Sequence, residues 1–188
     1  MRKNKISTSV WVLLSGGIDS TACVHFYNKQ KSKLQAIFVD YGQKSALREW
    51  HAAHKVARHY KITLSRFCWN GSKKGYGELL GRNAFLIFGG LLEIGNRPGL
   101  LAGGFHAGTS YYDCSIGFML KTHEILDGYT DGRLQLGVPF LEWTKREIWE
   151  FCRAEHIPLA LTYSCERGQN QPCGKCRSCK DLEILNAL

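Results

Sequence analysis

The chain has 188 residues, 44% of them hydrophobic, with nine Phe, five Trp and eight Tyr, so it is long enough for one domain with a substantial core and excludes disorder. Its formal charge of +9 points to a polyanionic partner, nucleotide or nucleic acid, yet no long run of like charge makes a basic tail. The apolar run VWVLL is only five residues, and the basic start MRKNKIS leads into neither a long apolar segment nor a cleavage site; a cytoplasmic protein without a membrane partner is expected.

Residues 10–14 are β-branched, aromatic and apolar, which predicts a buried strand, and from Ile18 the spacing turns helical. LQAIFVD (34–40) predicts a second strand, ending at an acid and the turn-like YGQ. Ala46, Trp50, Ala53 and Ala57 then share one face of a helix over 45–60. ITLSRF (62–67) alternates as a third strand, and the glycine-rich basic stretch 69–81 predicts a mobile loop. A helix over 83–95, a strand in GLLAGGF (99–105), a helix over 115–127 and a strand in LQLGVPF (134–140) follow. Thr144 and Glu147 make a capping box for a helix over 144–155, and a last helix is predicted over 180–187.

Strands alternating with helices predict an α/β fold: a parallel five-stranded sheet flanked by helices, as one domain over 1–188. Ligands in such sheets bind beyond the carboxyl ends of the strands. Residues 15–20, 40–43 and 104–114 all follow predicted strand ends. His51 and His54 lie three apart on a predicted helix without a third ligand nearby in sequence, which reads as an exposed face.

At the first strand-to-helix junction, backbone N–H groups of Gly16, Gly17 and Ile18 can converge on one anion, with Ser15 and Ser20 adding hydroxyl donors. The lysine of a Walker A loop is missing. Instead SGGIDS (15–20) matches the pyrophosphate-binding loop, or PP-loop, of the N-type ATP pyrophosphatases. An acid beside pyrophosphate needs a cation, which makes Asp19 a candidate partner for Mg²⁺.

Cys165, Cys173, Cys176 and Cys179 crowd into fifteen residues with spacing C-x7-C-x2-C-x2-C. Four thiolates so close together predict a structural zinc knuckle, over an iron–sulfur cluster or a disulfide pair, that staples the C-terminal helix. Arg167, Lys175, Arg177 and Lys180 offset the net charge of about −2 on a Zn(Cys)₄ centre.

The PP-loop in front and the cysteine knuckle behind resemble the 7-cyano-7-deazaguanine synthase (QueC) family. The resemblance runs on through FVDYGQK (38–44), GRNAFL (81–86), GFHAGTSYYDC (104–114), VPFLEWTKREI (138–148) and YSCERG (163–168). It implies an adenine nucleotide alpha hydrolase-like fold and an ATP-dependent C–N ligase related to queuosine biosynthesis. Such an enzyme adenylates the carboxylate of 7-carboxy-7-deazaguanine for attack by ammonia, giving the amide and then the nitrile. Carried over by position, residues 15–20 hold the phosphates, Val39 and Tyr41 border the adenine, and Lys145 neutralises developing negative charge. Tyr111, Asp113 and Cys114 fall in the substrate loop, where a ring can stack on Tyr111 or Tyr112 and Asp113 can accept from guanine-like N–H groups; His106, after the fourth strand, can touch substrate or phosphate. A homodimer is the oligomer the resemblance implies.

After Asp113-Cys114 the chain reads Ser-Ile-Gly-Phe, where the family carries an arginine, a proline and an acid, and this loop is shortened. The sequence therefore leaves three products open: nitrile, amide, or a conjugate with another amine such as a peptide or protein N-terminus. Two other readings compete, a tRNA-modifying PP-loop enzyme and a non-catalytic zinc-knuckle binder of nucleotide or nucleic acid. Intact SGGIDS and Lys145 favour a catalyst.

Overall fold

The computed structural model of the chain describes residues 9–69, 71, 77, 79–106, 108 and 111–186; parts of the 69–81 and 104–114 stretches and residues 187–188 lie outside these. Strands β1 (Ser9–Leu13), β2 (Lys33–Asp40), β3 (Thr63–Cys68), β4 (Gly99–Ala102) and β5 (Leu134–Gly137) form one sheet in the order β3-β2-β1-β4-β5. Every pairing is parallel, with Val12 opposite Ala36 on one side and Ala102 on the other.

Parallel strands need crossovers, supplied here by helices α1 (Ile18–Lys29), α2 (Ala46–Tyr60), α3 (Arg82–Ile94) and α4 (Ile116–Thr130), with α5 (Lys145–Ala154) and α6 (Arg177–Asn186) following β5. Because side chains alternate along a strand, β1 splits its apolar residues between two cores. Val10 and Val12 pack with Ala22, Val24, Ala53, Val56 and Ile148 from α1, α2 and α5. Trp11 and Leu13 pack with Ile87, Ile94, Met119 and Leu126 from α3 and α4. Burial on both faces is why this strand reads as an unbroken apolar run.

Predicted and observed elements agree in kind and order. The fifth strand stops at Gly137, short of its predicted end, because Pro139 carries no N–H and the chain turns through Leu141 N–H to Val138 O at 3.2 Å. The capping box forms as predicted: Glu147 N–H donates to Thr144 Oγ1 at 3.2 Å, and Thr144 N–H donates to Glu147 Oε2 at 2.6 Å. Helix α6 starts three residues earlier than predicted, since Glu166 Oε1 accepts from both the N–H (3.1 Å) and the hydroxyl (2.8 Å) of Ser178 and so satisfies its first turn. No helix among the described residues is long and apolar enough to cross a membrane.

Candidate active site

The strand order reverses at β1, which has β2 on one side and β4 on the other, and a crevice opens beyond their carboxyl ends. A cavity of about 650 Å³ occupies it, lined from the β1–α1, β2–α2 and β4–α4 connections and from the starts of α5 and α6. That volume accommodates a nucleotide with a second small molecule.

The β1–α1 turn is held from two sides. Gly16 has φ +80°, and a Cβ there would stand 2.6 Å from both Ala53 N and Glu49 O, so only glycine lets the turn rest on α2. Gly16 O accepts from Tyr163 N–H at 2.9 Å, which ties the turn to the segment entering the cysteine cluster. Gly17 stands at the N-cap of α1 in extended conformation; its carbonyl accepts from Ser20 Oγ (3.0 Å) and Thr21 Oγ1 (2.8 Å), and Ser15 Oγ lies 3.1 Å from Ser20 Oγ. Ser15, Gly17, Ile18, Asp19 and Ser20 all line the cavity, and Gly16 braces them from behind.

Asp19 sits in the first turn of α1 and Lys145 in the first turn of α5, 126 residues apart. The Lys145 ammonium donates to both Asp19 oxygens, at 2.5 Å to Oδ1. His106, just past β4, turns Nε2 toward Asp19 Oδ2 at 3.8 Å while its Nδ1 accepts from Gly108 N–H at 3.1 Å. Burial holds the His106 pKa below the usual imidazole value; Asp19 opposes the shift and Lys145 supports it. The helix can approach this closely because residue 104 is glycine: a Cβ there would lie 2.4 Å from Asp19 O.

On the β2 side, Val39 and Tyr41 line the cavity. Beside them stand groups that the sequence did not single out. Glu49 Oε2 accepts from Gln43 Nε2 at 2.8 Å and Oε1 from Ser45 Oγ at 2.7 Å, while Gln43 Oε1 accepts from Tyr41 N–H at 3.0 Å. Burial raises the Glu49 carboxyl above the ordinary range, against these hydrogen bonds. Burial and the nearby Glu49 push the Tyr41 phenol up to about 12. Arg82 and Asn83 of α3 complete this wall.

The predicted substrate loop divides. Tyr111 lines the cavity, its hydroxyl accepting from Arg177 Nη1 at 3.1 Å, with the guanidinium carbon 5.3 Å from the ring centre. Tyr112 points outward onto Phe118. Asp113 and Cys114 do not line this cavity. Asp113 Oδ2 accepts from Asn83 N–H at 2.9 Å and so satisfies the start of α3, while Asn83 Nδ2 donates to Asp113 O (3.1 Å) and approaches the buried Cys114 Sγ at 3.2 Å. The loop's acid and thiol are engaged in packing.

Cys165, Cys173, Cys176 and Cys179 bring their four sulfurs within 4.8 Å of one another, with Cys173 and Cys179 at 3.9 Å. Tetrahedral ligation at a Zn–S distance of about 2.3 Å sets sulfurs about 3.8 Å apart, so the cluster fits a zinc knuckle. N–H groups of Lys175 (3.4 Å) and Cys176 (3.3 Å) point at Cys173 Sγ and draw its pKa down to about 6, toward the ligating thiolate. The knuckle also positions α6, whose Arg177, Ser178, Asp181, Leu182 and Leu185 form one side of the cavity. Only the CxxC pairing could have signalled these residues, through the helix it anchors. His51 and His54 lie exposed on α2, and neither joins a metal-ligating group among the described residues.

Two solved structures share the fold: the U34-tRNA thiolase NcsA from Methanococcus maripaludis (TM-score 0.53, 15% identity, 97% of this chain and 66% of that one) and NMN synthetase from Francisella tularensis (TM-score 0.53, 13% identity, 96% and 77%). Among curated relatives, the 7-cyano-7-deazaguanine synthase of Prochlorococcus marinus strain MIT 9312 is 31% identical over 95% of this chain and 92% of its own. That of strain MIT 9215 is 30% identical over the same shares. The family described as "Queuosine biosynthesis protein QueC" matches residues 9–73 and 97–183, from the first strand through the cysteine knuckle. With that match covering most of the chain, the protein belongs to the QueC family and is an ATP-dependent enzyme of the PP-loop fold.

Proposed function

We propose that this protein, working as a single PP-loop domain, adenylates the carboxylate of 7-carboxy-7-deazaguanine with ATP and passes the acyl group to ammonia. The observation that supports this most is the meeting of Asp19 and Lys145 at the mouth of the Ser15–Ser20 turn, inside a cavity large enough for both substrates. In this reading the phosphates lie on the backbone N–H groups of the turn, and the adenine lies against Val39 and Tyr41. Asp19 offers the hard oxygen donors that Mg²⁺ requires, and the ion would supply charge neutralisation at the phosphates. The Cys165, Cys173, Cys176 and Cys179 site holds zinc, whose closed ligation leaves no position for catalysis.

A substrate carboxylate oxygen attacks the α-phosphorus of ATP, and the bond to the bridging oxygen breaks with its electron pair leaving on pyrophosphate. Lys145 stays beside the phosphorus and compensates the charge that develops there. Ammonia then adds to the acyl carbon, AMP departs with the C–O electron pair, a proton is lost, and the amide remains. A second ATP activates the amide oxygen in the same way, and loss of AMP and a proton gives the nitrile.

One observation favours a second reading, in which the product is the amide or an amine conjugate. The carboxylate of Asp113, expected to read guanine-like N–H groups, is turned to the start of α3 instead. Mass spectrometry of the product formed from ATP, ammonium and 7-carboxy-7-deazaguanine separates nitrile, amide and conjugate. AMP and pyrophosphate released only when the acid is present support the adenylation; their absence refutes it.

A further inference from the structure

The imidazole of His106 is oriented more tightly than ring stacking or packing needs. Its Nδ1 accepts from Gly108 N–H at 3.1 Å. A ring nitrogen that accepts carries no proton, so this bond fixes the neutral tautomer with hydrogen on Nε2. Residue 108 must be glycine for the approach, because a Cβ there would stand 2.8 Å from Nδ1 and 3.1 Å from Cε1. The Nε2–H faces Asp19 Oδ2 at 3.8 Å, beyond hydrogen-bond reach. The side chain is only 12% exposed. His106 lines the cavity, so a donor oriented in this way is available to an acceptor bound there.

We infer that His106 is a catalytic residue, donating a neutral Nε2–H hydrogen bond to the acyl oxygen of the carboxylate being activated, an inference that rests on the proposed adenylation. The ring belongs to the β4 side of the cavity, and Asp19 and Lys145 lie against it from α1 and α5. A carboxylate that attacks a phosphorus held there keeps its second oxygen on the His106 side. That oxygen becomes the acyl carbonyl and takes the negative charge when the amine adds to carbon, then returns the charge as AMP leaves. The hydrogen bond strengthens with that charge, and the proton stays on Nε2 throughout. Lys145 serves the phosphate, and His106 the acyl oxygen.

The test uses His106→Gln, which keeps an amide donor near the Nε2 position, His106→Asn, which does not, and His106→Ala. Pyrophosphate exchange into ATP, dependent on 7-carboxy-7-deazaguanine, reads adenylation; single-turnover amide formation reads amine addition. Loss of one such donor costs about 100- to 1000-fold, so amide formation should fall by that factor in His106→Ala and His106→Asn and recover to within about tenfold in His106→Gln. Exchange should fall far less in all three. Nitrogen-15 NMR of the wild-type ring should show a protonated Nε2 and a bare Nδ1, without any substrate. Wild-type amide formation in His106→Ala, equal defects in the Gln and Asn variants, or the opposite tautomer overturns the role while adenylation stands. Absence of exchange in the wild-type protein overturns the proposed function and this role together.

Discussion

Replacing Gly16 by alanine tests whether the anion loop is held in shape by its contact with α2. The residue has φ +80°, where an L side chain costs about 1–2 kcal/mol. The new Cβ would also stand 2.6 Å from Ala53 N, 2.6 Å from Glu49 O and 2.9 Å from Ala52 Cβ. Two of these are backbone atoms in a helix whose Ala53, Val56 and Ala57 are core residues, so relief requires moving the helix or the turn. Overpacking of that kind costs about 1–3 kcal/mol, which brings the total to about 3 kcal/mol. For a chain of this length that lowers the thermal midpoint by about 6–12 °C. Gly17→Ala is the matched control: its φ is −81°, and the nearest atom to a new Cβ is Ser15 Oγ at 3.4 Å. It should cost only about 1 kcal/mol, for a less favourable N-cap residue. Differential scanning calorimetry of the two variants beside the wild type reads the contrast. A Gly16→Ala midpoint within about 2 °C of wild type, or equal shifts in both variants, would refute the argument that this glycine is required by α2.

Asp19→Ala should abolish AMP formation while leaving the thermal transition nearly unchanged, since the Asp19–Lys145 pair lies at a partly open cavity wall and not in a core; AMP release at the wild-type rate would sink the assignment of the loop. Fresh protein should carry one zinc per chain by elemental analysis, and chelation should lower stability because ligation of Cys165, Cys173, Cys176 and Cys179 is coupled to the fold of α6; iron with inorganic sulfide would contradict it. Glu49, whose folded pKa is raised by burial, contributes stability that is full below its unfolded pKa and lost as pH rises through the folded value. Glu49→Gln should therefore flatten the decline in stability as pH rises above the ordinary carboxylate range, and an unchanged denaturation profile there would show that burial does not govern the group. With 7-amido-7-deazaguanine and ATP, nitrile formation should be slow or absent relative to amide formation from the acid, because Asp113 is engaged with Asn83; equal rates would show that the altered loop has no consequence.

Much of the architecture was legible in the sequence because local patterns and the fold agree. VWVLL and LQAIFVD are apolar on both faces, as strands inside a covered parallel sheet must be, and the Thr144–Glu147 box starts α5 where it predicts. The hexapeptide SGGIDS and the C-x7-C-x2-C-x2-C spacing carry their chemistry within short spans, so no tertiary knowledge was needed to find them. The conformation at Gly16 is legible only in part: glycine permits φ +80°, but the reason it is required lies in Ala53 and Glu49 of another helix.

What the tertiary structure alone decided is which distant groups share the crevice. Asp19 and Lys145 are separated by 126 residues, and Arg177 reaches Tyr111 across 66. They meet because a parallel sheet delivers every strand's carboxyl end to the same edge, and no local period records that convergence. The same reason explains Asp113: its place after a strand end suggested a ligand-reading acid, but the start of α3, thirty residues earlier, supplies an N–H that its carboxylate satisfies first. Sequence fixes a side chain's chemistry and its element; which partner claims it depends on what the packing of the other elements brings within about 3 Å.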